Sequence, residues 1–294
     1  MTAHALQGDL ESTALYDVPG PQARRRHFLY GIVSTVVILG LLAWILYLLF
    51  DTDQFTAAKW SPFTYKGIQE LLLRGLRNTL KAFLYASVFS LLLGAVLASG
   101  RLSVHRPVRW AATVCVEFFR AMPVLVMIFF IFVALKVQPL PALVAGLTLY
   151  NGSVLAEVFR TGINSVDKGQ REGAYALGMR KTQVVTYVLG PQAVRAMLPT
   201  IISQLVVALK DTSLGYLITY EEFLHAGKLI ASNLDYDLPF IPVVMIISPI
   251  YIGMCMLLSW FAGWVARFER RSLKTEAVDV APAEPGTVLP GGSR

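Results

Sequence analysis

Long apolar stretches alternate with short polar connections along the chain. Six of these stretches, at roughly 27–50, 78–100, 108–135, 142–163, 198–220 and 239–267, contain the ~18–20 residues that an α-helix needs to cross a bilayer. A further segment, Gly67–Arg77, alternates charged residues with leucine and is typical of a helix lying at the membrane interface. The pattern predicts an all-α integral membrane protein with about six transmembrane helices.

Composition strengthens this assignment. Of the 294 residues, 55% are hydrophobic and 15% are charged, whereas soluble domains carry about 25% charged residues. The net charge of +7 would otherwise suggest nucleic-acid binding, but the cations lie mainly in the connections, as is usual in membrane proteins. Cys115 and Cys255 both fall within predicted spans, so the sequence predicts neither a disulfide framework nor a metal site.

Both ends of the chain are polar. We predict that residues 1–26 form a cytoplasmic tail. Residues 272–294 contain Pro, Gly, Ala and Thr without a regular repeat, and we predict that they form a disordered tail. With six spans, both tails and the loop 164–197 lie on the same side of the membrane. Lys and Arg are about twice as frequent on that side, so we expect it to face the cytoplasm.

Charged side chains occur in pairs inside the predicted spans. Each charge costs ~2.5–3.5 kcal/mol at the centre of a bilayer unless it is paired or hydrated. In two pairs the acid and the base lie three residues apart on one helix face, where each neutralises the other, and in the third pair they are adjacent. These pairs are Glu117 and Arg120, Glu157 and Arg160, and Lys210 and Asp211.

The pairs have two interpretations. They can hold helices together, or they can line a hydrated path for a charged or zwitterionic solute. The second interpretation is favoured because charge inside the membrane is usually functional. Asn151, Gln204 and Thr212 are polar residues within spans and are further candidates for the path, although hydrogen bonding between packed helices is the commoner role of such residues.

The loop 164–197 contains a short helix with small side chains. Its pattern predicts a helix over Gln170–Leu177, and Gly178 fits the left-handed residue that ends such a helix. A helix this short is marginal in water, but a surface of small residues permits close approach of another backbone. We therefore predict a docking site for a partner protein. Its residues are Gln170, Glu172, Gly173, Ala174, Ala176 and Gly178.

Motifs for catalysis are missing from the sequence. The sequence has no G-x-x-x-x-G-K-[ST] phosphate loop, which excludes ATP hydrolysis by that route. The four histidines are scattered without metal-ligand spacing, and no catalytic triad or paired-carboxylate site is evident. The sequence predicts a non-enzymatic protein with no metal or cofactor of its own.

The small-residue loop carries a family resemblance. The run Glu172–Pro191 has the form E-G-A-x3-G-x9-V-x-G-P, which resembles the cytoplasmic E-A-A-x3-G-x9-I-x-L-P loop of bacterial ABC importer permeases. Gly190 stands where that family has leucine, and we expect it to loosen the bend that leads into the fifth span.

Other segments resemble the polar amino-acid branch of these permeases, which serves histidine, glutamate, glutamine and arginine. The resemblance extends over Leu71–Phe268. It rests on Glu117–Pro123 (EFFRAMP), Ala156–Ile163 (AEVFRTGI), Lys168–Gln170 (KGQ) and Leu209–Leu214 (LKDTSL).

The resemblance implies an architecture and a set of partners. It implies a five-helix type I ABC importer permease core at 71–268, with a coupling loop at 164–197 and an extra N-terminal transmembrane helix at 27–50. It further implies a second permease chain, identical or related, two ATPase subunits that bind ATP and magnesium, and an extracytoplasmic solute-binding protein. The solute would be a polar amino acid, with an acidic or amide one such as glutamate preferred, and the location the bacterial cytoplasmic membrane.

Two other classes of protein remain open from the residues alone. A secondary amino-acid transporter coupled to H⁺ or Na⁺ would use Glu117 or Glu157 as a proton relay, and such folds often contain two repeated halves. A membrane scaffold without transport activity would not need charges within its spans.

Overall fold

The computed structural model describes residues 20–278, with the backbone alone for Pro21, Arg24 and 265–278. Residues 1–19 and 279–294, which hold most of both predicted tails, lie outside this range. The described range is helical, without strands. Its α-helices are α1 Pro21–Asp51, α2 Ala57–Trp60, α3 Lys66–Arg101, α4 Arg106–Ala121, α5 Val124–Ala134, α6 Pro139–Ser165, α7 Lys168–Ala176, α8 Lys181–Gln183, α9 Gly190–Asp211, α10 Phe223–Ala231 and α11 Phe240–Val278.

Five of these helices are long and apolar enough to cross a membrane, and the number is six when α4 and α5 count as one bent span. This agrees with the predicted all-α membrane fold. The chain divides into two compact units, one ending at Lys59 and one beginning at Trp60. The first unit contains α1, which matches the predicted span 27–50 and has no buried residue in its apolar part.

In the second unit, α3 and α6 form the central helix pair. Small residues of α3, among them Ala82, Ala86 and Gly94, are buried and let the two helices approach closely. At Gly94 an added Cβ would lie 3.1 Å from the carbonyl oxygen of Gly152 in α6. The prediction of a separate interfacial helix over Gly67–Arg77 was wrong, because α3 extends through this segment without a break.

The predicted third span is broken in two. Helices α4 and α5 meet at an angle of 98°, so a single straight span over 108–135 was wrong. Pro123 causes the break, because proline disfavours helical geometry in the residue before it, and Met122 is extended with φ −83° and ψ 130°. Helix α5 then packs on α6, with Ile128 against Gly146.

The second half of the unit differs from the prediction at its boundaries. Pro139 is the first residue of α6, a position that proline favours. The fifth span ends as a 3-10 helix, Thr212–Ile218, and the predicted connector 221–238 contains α10. Helix α11 continues to Val278, so residues 272–278 are helical and not part of a disordered tail.

Candidate functional site

Helix α7 is formed and ended by local hydrogen bonds. The Asp167 side chain caps it, accepting a hydrogen bond from the Gly169 amide at 2.7 Å. At the other end the amides of Gly178 and Met179 donate to the carbonyls of Tyr175 and Ala174, which is the Schellman arrangement. Gly178 has φ +76°, as the sequence predicts for the residue that ends the helix.

One face of α7 packs against the chain's own helices. The side chain of Ala174 is 5% exposed and lies against Val184 and Leu189. The side-chain amide of Gln192 donates to Gln170 Oε1 at 3.4 Å. Ala174 was therefore wrongly predicted to lie on the docking surface, because it anchors α7 to the segment that leads into α9.

The opposite face of α7 is open. An added Cβ at Gly173 would have no atom within 4 Å, and the Leu177 side chain is 83% exposed. We call this surface the α7 outer face. The predicted docking residues that are exposed on α7 and its C-terminal turn are Gln170, Glu172, Gly173, Ala176 and Gly178.

A π-helical segment, Val184–Leu189, connects α8 to α9. It keeps the helix continuous into Pro191, which has no amide hydrogen to donate. Gly190 is needed there because a Cβ would lie 2.8 Å from the carbonyl oxygen of Val185. The helical run from α8 to α9 continues through Gly190 without a break, and the expected loosening of the bend there stays a prediction.

A residue of a third helix connects the two predicted acid–base pairs that have i, i+3 spacing. Arg101, at the end of α3, lies 3.2 Å from Glu117 and 2.8 Å from Glu157. Glu117 also lies 3.7 Å from Arg120, and Glu157 accepts hydrogen bonds from Arg160. These five residues form one cluster that joins α3, α4 and α6, and we call it the arginine cluster.

Sequence reasoning missed the role of Arg101. Its side chain is only 10% exposed, whereas that of Glu117 is 55% exposed. Arg101 has no acid three or four residues away in α3, so the sequence pattern gives no sign of the contact. With three cations and two anions, both carboxylates of the cluster already have positive partners.

The other candidate path residues lie elsewhere. Gln204 in α9 donates to Asn151 in α6 at 2.7 Å, and Asn151 donates to Leu147 O. Thr212 is buried and donates to the carbonyl of Leu209. These contacts are hydrogen bonds within and between packed helices.

Lys210 and Asp211 lie at the far end of α9, where the charge of Lys210 acts on the Asp211 carboxylate without a direct salt bridge. Within the described chain no ion pair shorter than 4.0 Å involves Lys210, whose side chain is exposed. Lys210 instead lines a groove of about 700 Å³ formed by α9, α10 and α11. Its polar lining residues are Lys210, Ser213, Ser248, Tyr251, Cys255 and Ser259.

A buried carboxylate lies behind this groove. Glu222 caps α10, accepting from the amides of His225 at 2.6 Å and Leu224 at 2.8 Å. It also accepts from the Tyr251 hydroxyl at 2.8 Å. Burial raises the pKa of Glu222 to about 6, and these hydrogen bonds limit the rise. Glu222 lies near the start of the connector between two predicted spans, where charged residues are usually exposed. Nothing in the sequence therefore marks it as buried.

Comparison with known proteins identifies the family. Residues 90–271, more than half of the chain, match the family described as the binding-protein-dependent transport system inner membrane component. The chain belongs to this family. The matched range runs from α3 to α11 and includes α7, the arginine cluster and the groove.

Individual relatives agree with the family match. The permease is 41% identical over 222 residues to the glutamate transport system permease protein GluD of Corynebacterium glutamicum, covering 72% of this chain and 81% of GluD. It is 32% identical over 190 residues to the probable glutamine ABC transporter permease protein GlnP of Bacillus subtilis, covering 63% of this chain and 87% of GlnP.

A solved structure is also similar. The crystal structure of an amino acid ABC transporter with histidines matches with a TM-score of 0.62 and 29% identity, covering 68% of this chain and 94% of that one. The chain is therefore the permease subunit of an ABC amino-acid importer and a multi-pass membrane protein. The predicted family and fold are confirmed, and the roles of the individual site residues stay predictions.

Proposed function

We propose that this permease imports an acidic or amide amino acid, in the first place glutamate, across the bacterial cytoplasmic membrane. The similarity to a glutamate transport permease supports the substrate class. The observation that carries the mechanism is α7, a surface helix anchored on one face by Ala174 and open on the other.

Two separate ATPase subunits bind the α7 outer faces of two permease chains, which are identical or related. Each α7 is tied to Val184 in the segment before α9 and to Gln192 in the first turn of α9. A movement of the ATPase can therefore reach a membrane-spanning helix as a rigid-body displacement. ATP and magnesium bind to the ATPase subunits, this chain is not itself catalytic, and a solute-binding protein delivers the amino acid from outside.

The polar residues within the membrane serve this movement in different ways. The arginine cluster joins three helices near α7, and its partly exposed carboxylates and guanidinium groups line the cytoplasmic part of the path. The hydrogen bond between Gln204 and Asn151 holds α9 against α6. Thr212 hydrogen-bonds to the last turn of α9 and fixes its outer end. Both chain termini lie in the cytoplasm.

Reconstituted uptake tests the energy source. Proteoliposomes with the permease, its ATPase subunits and its binding protein should accumulate L-glutamate only when ATP is inside the compartment that corresponds to the cytoplasm. Accumulation driven by an H⁺ or Na⁺ gradient without the ATPase would contradict the proposal and favour a secondary transporter.

A pair of glycine variants tests the coupling surface. Gly173→Trp adds bulk to the α7 outer face and should abolish copurification of the ATPase and uptake. Gly67→Trp is the matched control, because Gly67 is also exposed, helical and open around its Cβ, but lies in the first turn of α3. Normal ATPase binding by the Gly173 variant would refute coupling through this face.

A further inference from the structure

A second groove, of about 540 Å³, lies beside the segment that follows α7. The last turns of α3, the end of α6 and the helical run from α8 to α9 form its walls. Its volume falls within the roughly 300–1,000 Å³ of small-molecule sites. We call it the α8 groove. Its polar lining residues are Ser99, Ser103, His105, Lys181, Thr182 and Thr186.

The polar end of the α8 groove is basic. Lys181 lines it from the start of α8, and His105 lines it from the turn between α3 and α4. Arg109 donates a hydrogen bond to the carbonyl of Ser103 at 3.3 Å, which brings a guanidinium group to the same turn. None of the lining residues is acidic. Among the side chains that the structure describes, no carboxylate lies within 4.0 Å of Lys181 or His105. The groove therefore offers basic donors to an anion from outside the chain.

Two threonine hydroxyls add neutral donors. Thr182 and Thr186 are four residues apart on the helical run from α8 to α9, so they lie on one face of it. Both residues are exposed, and neither hydroxyl has a hydrogen-bond partner within the described part of the chain. A phosphate group carries several acceptor oxygens and suits this combination of charged and neutral donors.

The rest of the α8 groove is apolar and lies at the level of the membrane surface. Val104 and Val194 line it and are largely exposed. Trp110 in α4 and Tyr187, beside Thr186, are strongly exposed as well. Exposed Trp and Tyr are enriched where the lipid headgroups begin. Exposed valines next to basic groups at this level match a molecule with an anionic head and hydrocarbon chains, whereas a free phosphate ion would use the polar end alone.

We propose that the α8 groove binds an anionic phospholipid. Its phosphate group contacts Lys181, His105 and the two threonine hydroxyls, and its acyl chains lie against Val104 and Val194. The bound lipid connects the end of α3 to the segment that links α7 with α9. The inference goes beyond the proposed import function, because it concerns neither the solute nor the α7 outer face, and binding is measured without transport.

Lipid titration of the assembled complex tests the proposal. The delipidated permease with its ATPase subunits is titrated with dioleoylphosphatidylglycerol or with dioleoylphosphatidylcholine, and bound lipid is counted by native mass spectrometry. The anionic lipid should bind at least about 5-fold more tightly, because one basic side chain near a headgroup contributes a factor of about that size. Equal affinity for the two lipids would overturn the proposal.

Substitution of Lys181 tests the location of the site. Lys181→Gln should weaken phosphatidylglycerol binding about 5-fold, while Lys181→Arg keeps the charge and stays within about twofold. Lys81→Gln, at an exposed lysine of α3 outside the groove, is the matched control. Unchanged binding by Lys181→Gln, or an equal loss in the control, would refute a site in this groove.

A second variant covers the case in which Lys181→Gln does not assemble. Thr186→Val keeps the shape of the side chain and removes one hydroxyl, so phosphatidylglycerol binding should weaken about 3-fold while the melting temperature without lipid is retained. Unchanged lipid binding by this variant would contradict the phosphate contact.

Two competitors distinguish other occupants of the groove. Millimolar inorganic phosphate should leave phosphatidylglycerol bound, and displacement of the lipid by phosphate would indicate a site for a free anion only. Binding to the permease alone that disappears when the ATPase subunits are added would show that the ATPase covers the groove. Either result would overturn the lipid assignment and leave the proposed import function standing.

Discussion

Arg101 occupies the end of α3, and its guanidinium lies between carboxylates of two other helices. This side chain bridges the separate pairs of α4 and α6, because it reaches both Glu117 and Glu157. An arginine suits this position, since its planar guanidinium can contact two carboxylates at once. The charges that the sequence presents as local pairs thus serve tertiary packing as well.

Removal of Arg101 should destabilise the permease. We expect Arg101→Met to lower the free energy of unfolding by about 3 kcal/mol, because two carboxylates lose their shared partner. Arg101→Lys should recover part of this loss through its retained charge. Thermal unfolding in detergent measures the effect, with Arg106→Met, an exposed arginine at the start of α4, as the control. Equal stability of the two Met variants would contradict the bridging role.

The buried carboxylate predicts a pH dependence of stability. The pKa of Glu222 is raised from its ordinary 4.5 to about 6, so the folded state holds the proton more tightly than the unfolded chain. Stability from this group is present below pH 4.5 and declines as pH rises to about 6, by about 2 kcal/mol in total.

Glu222→Gln should flatten this decline between pH 4.5 and 6, as measured by unfolding at a series of pH values. The slope, rather than the absolute stability, is the readout, because glutamine cannot accept all three hydrogen bonds. Glu70→Gln, at an exposed position of α3, should leave the slope unchanged. An unaltered slope in the Glu222 variant would show that this carboxyl does not titrate in the window.

Among the elements, the broken span depends on a close contact between α5 and α6. The turn at Met122 and Pro123 directs α5 across α6, and Gly146 leaves room for it. A Cβ at Gly146 would lie 2.5 Å from Ile128 Cγ1 and 3.1 Å from Ile128 Cα. Because the obstacle includes backbone, rotation of a side chain cannot relieve it.

The variant Gly146→Ala should therefore lower stability by about 1–3 kcal/mol, the usual range for overpacking. Gly253→Ala in α11 is the matched control, since an added Cβ there has no atom within 4 Å. Alanine favours helix over glycine, so the control should be neutral or slightly stabilised. The melting temperatures of the two variants, measured in the same detergent, test this prediction. A similar loss of stability at both positions would contradict close packing at Gly146 as the cause.

At the scale of the whole molecule, the two ends of α9 define two sides, because α7 adjoins one end and the groove lined by Lys210 lies towards the other. Two strongly exposed leucines mark the two sides, Leu177 after α7 at 83% and Leu234 after α10 at 80%. The excess of Lys and Arg on the side of α7 predicts that this side faces the cytoplasm.

Single cysteines at these positions test the orientation. With Cys115 and Cys255 replaced by serine, Leu234→Cys should react with an impermeant maleimide on intact cells, and Leu177→Cys only in inside-out vesicles. Each variant serves as the control for the other. The reverse labelling pattern would place α7 outside and would be incompatible with coupling to a cytoplasmic ATPase.

Much of the fold was predictable because membrane-spanning helices are encoded locally. The apolar runs marked α1, α3, α6, α9 and α11, and small residues with Gly178 marked α7. The break at Pro123 and the continuity of α3 were not predicted, since hydropathy does not distinguish a bent span from a straight one or an interfacial turn from a longer helix.

By itself the sequence determined the helical membrane architecture, the family and the short exposed helix α7, because length, hydropathy and turn chemistry act between near neighbours. The tertiary structure alone decided that Ala174 faces inward, that Arg101 joins two acids, and that Lys210 lines a groove in front of Glu222 and Tyr251. These relations connect residues far apart in the chain, and only the packing of the helices fixes which side chains meet.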